Sequence, residues 1–519
     1  MDTLFNVISR NYRRFAIALI LFTSFITCVS AATFFNVTDF GAKGDGKTID
    51  SPAINKAIEA AAKEGGGTVW FPAGKYASYS IRLQSNITLF LDNGATLIAA
   101  YPTETEGFDV AEPNAFNMFQ DFGHSHWQNS LIWGIGLENV TICGQGMIDG
   151  MGLTREESRI KGVGNKAIAL KLCRNVNLKD IRMFRCGHFA LLATGVDNMT
   201  IDNLLIDTNR DGLDIDCCRN VRVSNCTVNS PNDDAIVLKA SYGLGFFRNT
   251  ENNTITNCFV SGYDMGTVLD GAFQRLIPQA PDQCFPCGRI KLGTESSGGF
   301  KNITISNCVF ERSRGLALET VDGGDLEDIT VSNLVLRDIN AAPIFLRLGA
   351  RQRSPQGTPV GHLRRVSIDN VRVYNSDSMY VCLIAGIPGH SIEDVKLSNI
   401  YLYQQGGGTK ELATRVIPEN EKKYPEQTMF GPLPAAVFYI RHANNIQINN
   451  VEATIMRPDE RPSVCLDDVH NISFSNVIFN QPKAPAAFSL TNVSDFRTFN
   501  CRNIKDLLIE KADKQIVEK

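Results

Sequence analysis

One pattern of polar and hydrophobic positions recurs along the chain, an Asn followed by an alternating apolar–polar–apolar run. It reads Asn139-Val-Thr-Ile142, Asn175-Val-Asn-Leu178, Asn198-Met-Thr-Ile201, Asn220-Val-Arg-Val223, Asn302-Ile-Thr-Ile305, Asn445-Ile-Gln-Ile448 and Asn471-Ile-Ser-Phe474. Degenerate copies begin at Asp328, Arg365 and Asp394. Each copy predicts a short strand with one buried face. A second Asn often follows two positions later, as at Asn203, Asn225, Asn307, Asn333, Asn370, Asn399, Asn450 and Asn476. The steps from Asn175 to Asn198, from Asn198 to Asn220 and from Asn445 to Asn471 are similar in length. A period in the low twenties, made of short strands and polar corners, predicts a solenoid. Coils stacked about 4.8 Å apart pair in parallel and bring equivalent Asn side chains into a ladder. The fold class is all-β, a right-handed single-stranded parallel β-helix.

One segment departs from this period. Ile54, Ala57, Ile58 and Ala61 stand at helical spacing between residues 51 and 63, behind Asp50 and Ser51 as candidate N-caps. This helix is expected to cover the first coil and hide an edge open to pairing. Several repeat copies match the Asn-X-Ser/Thr glycosylation pattern. In this setting most are corner Asn and strand Thr rather than sugar attachment points.

Composition narrows the function. The 519 residues are 43% hydrophobic and 20% charged, which excludes a disordered chain. With 42 Gly against three Trp, the chain is rich in turns. A net charge of −4 gives no polybasic surface for nucleic acid or anionic membrane. The apolar run from Phe15 to Val29, behind Arg10, Arg13 and Arg14 and before Val29-Ser30-Ala31, has the pattern of a secretory signal cut after Ala31. The domain plan is therefore a signal over 1–31, one β-helix over 32–500 and a tail over 501–519. It implies a secreted protein, extracellular or periplasmic, without a stable membrane span after cleavage. Of 14 Cys, Cys226, Cys258 and Cys308 recur behind an Asn, as small apolar residues stacked in a core. Cys284 and Cys287 are spaced for a disulfide, and no second pair completes a zinc site.

The chemistry concentrates in two adjacent coils, Asn209-Arg-Asp-Gly-Leu-Asp-Ile-Asp216 and Asn232-Asp-Asp-Ala-Ile-Val-Leu-Lys239. The steps from Leu213 to Ile236, from Ile215 to Leu238 and from Asp211 to Asp234 are identical, and each equals the step from Asn175 to Asn198. Stacking therefore brings Asp211 beside Asp234, with Asp233 next to them. Because Asp211 shares parity with Leu213, it belongs at the corner before the strand, where Gly212 lets the facing reset. Three carboxylates this close repel, so at least one holds a proton near neutral or mildly acidic pH. That suits glycoside hydrolysis, in which one acid protonates the leaving oxygen and carboxylates across a gap activate water for inversion. The competing reading of an isolated Asp-Asp is a solvated or calcium-binding turn.

With these acids placed, the chain resembles glycoside hydrolase family 28, the polygalacturonase and rhamnogalacturonan hydrolase group. The resemblance runs from Phe40 through Asn476. It is carried by the Gly-Asp-Gly start, Gly144-Gln-Gly-Met-Ile-Asp-Gly150, Asn209-Arg-Asp-Gly and Asp233-Asp234. It implies a pectin-lyase-like scaffold, a pectic substrate, Asp233 as general acid, and Asp211 and Asp234 holding the water as base. Three departures stand out. Arg210 replaces the family Thr. No His stands near Cys287-Gly288. The family's Arg-Ile-Lys, implied to bind a substrate carboxylate beyond the cleaved bond, falls at Ala317-Leu318-Glu319, whereas Arg289-Ile290-Lys291 lies one coil earlier. Arg289 and Lys291 share a strand face and are candidates to grip a uronate from there. A galacturonate facing Glu319 is repelled, which favours a neutral sugar such as rhamnose on that side.

Further candidates for the groove are Asn209, Glu295, His188 (one coil step before Asp211) and Arg347, with Tyr242, Arg351 and Arg353 as lesser ones. Insertions at 246–251, 276–286 and 406–432 are where groove ends are expected to be walled off. The sequence thus points to a secreted monomer that hydrolyses α-galacturonosyl linkages of pectin with inversion and needs no cofactor. Its rivals are a calcium-dependent polysaccharide lyase and a non-catalytic carbohydrate-binding β-helix.

Overall fold

The computed structural model describes residues 34–120, 123–155, 160–276, 286–481 and 484–518. The leader pattern over 1–31 and Cys284 lie outside the described residues. From Phe34 to Phe499 the chain winds through coils that pair strand on strand in parallel. The repeat phrases form one continuous face: Glu138–Gly144, Arg174–Lys179, Asp197–Asp202, Arg219–Ser224, Thr250–Thr256 and Phe300–Ser306 stack in that order. Their alternation places Val140, Ile142, Val176, Leu178, Val221 and Val223 in the core.

The recurring Asn has a conformational cause. Asn139, Asn175, Asn198, Asn220, Asn302, Asn445 and Asn471 all have φ between 51° and 57°. The left-handed region costs an ordinary L-residue about 1–2 kcal/mol, and Asn tolerates it by bonding locally. Here the amide bonds to the neighbouring coil. Asn175 Nδ2 donates to Asn139 Oδ1 at 3.0 Å, Asn198 to Asn175 at 3.2 Å and Asn220 to Asn198 at 3.2 Å. A second ladder joins Asn225, Asn257, Asn307, Asn333 and Asn370. The Asn ladder read from the sequence is present at both corners. The stacked thiols are present too: Cys226, Cys258 and Cys308 are buried and free, each Sγ 3.2 Å from the carbonyl oxygen two positions earlier.

Helix α1, Ser51–Lys63, packs Ile54, Ala57, Ile58 and Ala61 on the first coil. Its N-terminus differs from expectation. Asp50 occupies the cap position without a side-chain cap bond, because its carboxylate accepts from the backbone N–H groups of Lys43 and Gly44 at 2.7 and 3.0 Å. The C-terminus differs as well. Within the segment read as a tail, Leu507–Ala512 and Gln515–Val517 fold back antiparallel on Phe488–Phe499, covering the last open edge. Among the described residues no helix is long and apolar enough to cross a membrane.

A second face of the coils carries the acids. Its strands are β1 (Phe189–Thr194), β2 (Asp211–Asp216), β3 (Ile236–Ala240), β4 (Ile290–Ser296), β5 (Leu316–Thr320) and β6 (Ile344–Leu348), stacked in chain order. Unlike the Asn face, these strands are buried on both sides. Trp127 packs on Phe189 and Leu192 over β1. Ile417 and Phe430 from the 406–432 insertion pack with Ala317 and Phe345 over β5 and β6. The acids lie between these two covers.

Candidate active site

The register is the one the spacing requires. Leu213 pairs with Ile236 and Ile215 with Leu238. Gly212 N–H donates to the Asp234 carbonyl at 3.0 Å, which puts Asp211 and Asp234 on neighbouring coils. Gly212 is needed for that approach: a Cβ there meets the Ala235 carbonyl oxygen at 2.4 Å and Val228 Cγ1 at 2.5 Å. Asp211 pairs in register with Phe189, which packs under Trp127 outside the core. The facing does reset, but Asp211 is the first residue of β2 rather than a corner residue before it.

The three acids have different surroundings. The Asp211 carboxylate brings an oxygen within 4.8 Å of both Asp233 and His188. Its side chain is 4% exposed, against 20% for Asp233 and 5% for Asp234. Burial, and then the neighbouring Asp233 carboxylate, hold Asp211 protonated well above the ordinary carboxylate range. Arg210 Nη2 bonds Asp233 Oδ2 at 2.6 Å, so the Arg in place of Thr reaches the next coil. Asp234 accepts from Arg289 Nε at 2.6 Å, lies 3.4 Å from Lys291 Nζ, and takes the Cys287 thiol at 3.3 Å. Burial acts to raise Asp234, but the two cations outweigh it and hold the group below its usual range.

Around this trio lie groups that sequence reasoning passed over. Asp214, on the outer face of β2, contacts His124 Nε2 at 2.9 Å and Lys239 Nζ at 3.3 Å. Lys239 also lies 2.6 Å from His124 Nε2 and 3.1 Å from Glu295. The parity of Asp214 and Lys239 with the polar side of their strands was the available signal. Glu426 and Tyr424 had none, because they come from the 406–432 insertion. Glu426 accepts from both terminal nitrogens of Arg289, at 2.9 and 3.0 Å, and from Arg314 Nη1 at 3.0 Å. Burial works against its charge, but these guanidiniums prevail and lower it to about 2. Tyr424 Oη accepts from Lys291 Nζ at 3.4 Å.

The remaining candidates fall into two groups. His188 reaches the acids, with Nδ1 2.6 Å from the Arg155 carbonyl; burial and then Arg210 keep it neutral. Asn209 accepts from Asn232 Nδ2 at 2.8 Å beside the same corner. Arg289 and Lys291 stand on the coil directly after the acids, Lys291 in register with Ala317. They turn to Asp234 and Glu426 rather than to an open groove. Arg347 does not reach the groove. It is buried and spends its guanidinium on the carbonyls of Ala385, Gly386, Glu419 and Asn420, anchoring the 406–432 insertion. Glu319 does not face a sugar either: it is fully buried, 3.6 Å from Lys291 Nζ, and burial raises it to about 7. Glu295 is buried between Lys239 and Arg351. Tyr242 is enclosed by the ring edges of Phe116, Phe119 and Phe247.

The arrangement offers one protonated buried carboxyl, one more open carboxyl and one cation-held carboxylate, all within two coils. Comparison with known proteins identifies relatives of the chain and of its fold. Residues 34–185 match the family model described as rhamnogalacturonase A/epimerase, pectate lyase-like, and residues 128–272 match that of a right-handed β-helix region. A probable polygalacturonase of Vitis vinifera is 26% identical over 327 residues, covering 59% of this chain and 61% of that protein. An exo-poly-α-D-galacturonosidase of Dickeya chrysanthemi is 25% identical over 360 residues, covering 62% of this chain and 58% of the other. The chain thus spans about six-tenths of the length of these two relatives. The structure of a Yersinia enterocolitica family 28 exopolygalacturonase superposes with a TM-score of 0.58 at 18% identity, over 92% of this chain and 79% of that one. The chain is a right-handed parallel β-helix related in sequence to the polygalacturonases, and its resemblance to glycoside hydrolase family 28 holds.

Proposed function

We propose that the protein hydrolyses α-galacturonosyl linkages of pectic polysaccharide with inversion, using Asp211, Asp233 and Asp234. The observation that carries this reading is the meeting of the three carboxyls across two coils, one protonated by burial and one held as an anion by Arg289 and Lys291. Asp211, held protonated by burial, brings an oxygen within 4.8 Å of Asp233 and hands its proton across. Asp233, the more open of the two, delivers it to the leaving oxygen. Asp211, deprotonated once its proton has passed through Asp233 to the leaving oxygen, takes a proton from the water that Asp234 helps to hold and that attacks from the opposite face. Similarity to named polygalacturonases supports the substrate class, and the leader pattern supports export.

Product analysis on defined homogalacturonan and rhamnogalacturonan oligosaccharides tests this. Proton magnetic resonance is expected to show the inverted anomer first, and Asp233→Asn is expected to lose turnover while keeping the fold. An unsaturated, ultraviolet-absorbing product lost on chelation makes the protein a lyase instead. Binding without turnover in the wild type makes it a carbohydrate-binding β-helix.

A further inference from the structure

The guanidinium of Arg289 is shared between two carboxylates of different origin. Its Nε holds Asp234, and its two terminal nitrogens hold Glu426 in the bidentate geometry by which arginine takes a carboxylate ligand. Arg314 Nη1 holds the same Glu426 from the next coil at 3.0 Å. Glu426 enters from outside the coil. It belongs to an insertion that Arg347 ties down through the Glu419 and Asn420 carbonyls and Arg441 through the Ile417 and Pro418 carbonyls, and that Arg415 braces internally through the Phe430 carbonyl. The carboxylate is therefore a fixed part of the site.

We propose that Glu426 is a built-in substitute for a substrate carboxylate. It fills the Arg289–Arg314 clamp beside Asp234, so that the adjoining subsite accepts a neutral sugar in preference to a uronate. This rests on the hydrolase reading above and adds its specificity. A uronate arriving at this subsite finds both guanidiniums already neutralised, and it adds a negative charge next to Asp234 and Glu426. A neutral residue brings no such charge and needs no cation. The 17% of the Glu426 side chain that remains exposed marks where the clamp opens toward solvent once that carboxylate is removed.

The test uses the full chain and two variants, Glu426→Ala, which empties the clamp, and Glu426→Gln, which keeps the loop's shape if the smaller residue destabilises it. The first measurement is calorimetric binding of free D-galacturonate and D-galactose. Galacturonate affinity is expected to rise by about tenfold or more in the variants, with galactose unchanged. The second is the ratio of kcat/KM on homogalacturonan and rhamnogalacturonan oligosaccharides, expected to move toward homogalacturonan by a similar factor. Unchanged galacturonate binding in the folded Gln variant overturns the proposal. Absence of wild-type turnover on either oligosaccharide instead sinks the hydrolase reading, and leaves the binding comparison to judge the clamp by itself.

Discussion

Asp211 and Asp233, on successive coils, bring carboxylate oxygens within 4.8 Å of one another. Their proximity makes each sensitive to the charge of the other. Replacing Asp233 by Asn removes a repelling neighbour, so the raised proton affinity of Asp211 is expected to fall. Infrared difference titration of the protonated carboxyl band reads this directly, as a shift of its midpoint to lower pH. A midpoint that does not move means the two groups are independent.

The same pair separates acid from base. Asp233→Asn, Asp211→Asn and Asp234→Asn are each expected to lower kcat by about 10²–10⁴ on natural linkages. A substrate with an activated leaving group needs no protonation. It is expected to restore turnover to Asp233→Asn alone; rescue of Asp211→Asn instead moves the acid to that residue.

Glu319 links stability to pH. Its carboxyl is raised from 4.5 to about 7, mainly by burial, so the fold favours the neutral form. That contribution is complete below pH 4.5 and is lost as pH rises through 7, a change of about 3 kcal/mol at most. Glu319→Gln keeps a neutral side chain at every pH. Urea midpoints followed from pH 4 to 8 are expected to decline less in the variant, and parallel curves exclude the linkage.

Arg347 serves the wall rather than the substrate. Arg347→Met leaves four buried carbonyl acceptors without their cation, at a cost of roughly 3 kcal/mol or more. Limited proteolysis is expected to cut first within residues 410–432, since the insertion loses its anchor. Cleavage elsewhere at unchanged rate refutes the role.

The corner ladder has a measurable strength. Asn257, at φ 56°, bonds Asn225 on one side and Asn307 on the other. Asn257→Ala combines left-handed strain with two lost bonds and is expected to cost about 2–3 kcal/mol. Asn257→Gly relieves the strain and is expected to cost less. A thermal midpoint equal for the two variants argues against the conformational explanation.

The repeat by itself determined the coil, because a polar corner that must turn left-handed selects Asn at each rung and leaves a visible period. It also determined that Asp211, Asp233 and Asp234 meet, since parallel stacking converts a constant step along the chain into adjacency. What the period does not encode is the outer covering. Arg289 and Lys291 read equally well as an open uronate clamp or a surface pair, until Glu426, far along the chain from Arg289, closes on the guanidinium. Arg347 likewise looks like a groove cation until the backbone of the 406–432 insertion arrives to take its donors. Stacking is local and repeated, so each coil states it again in the sequence. Which charges end up neutralised depends on a single non-repeating loop and the three-dimensional path it takes, and only the tertiary structure decided that.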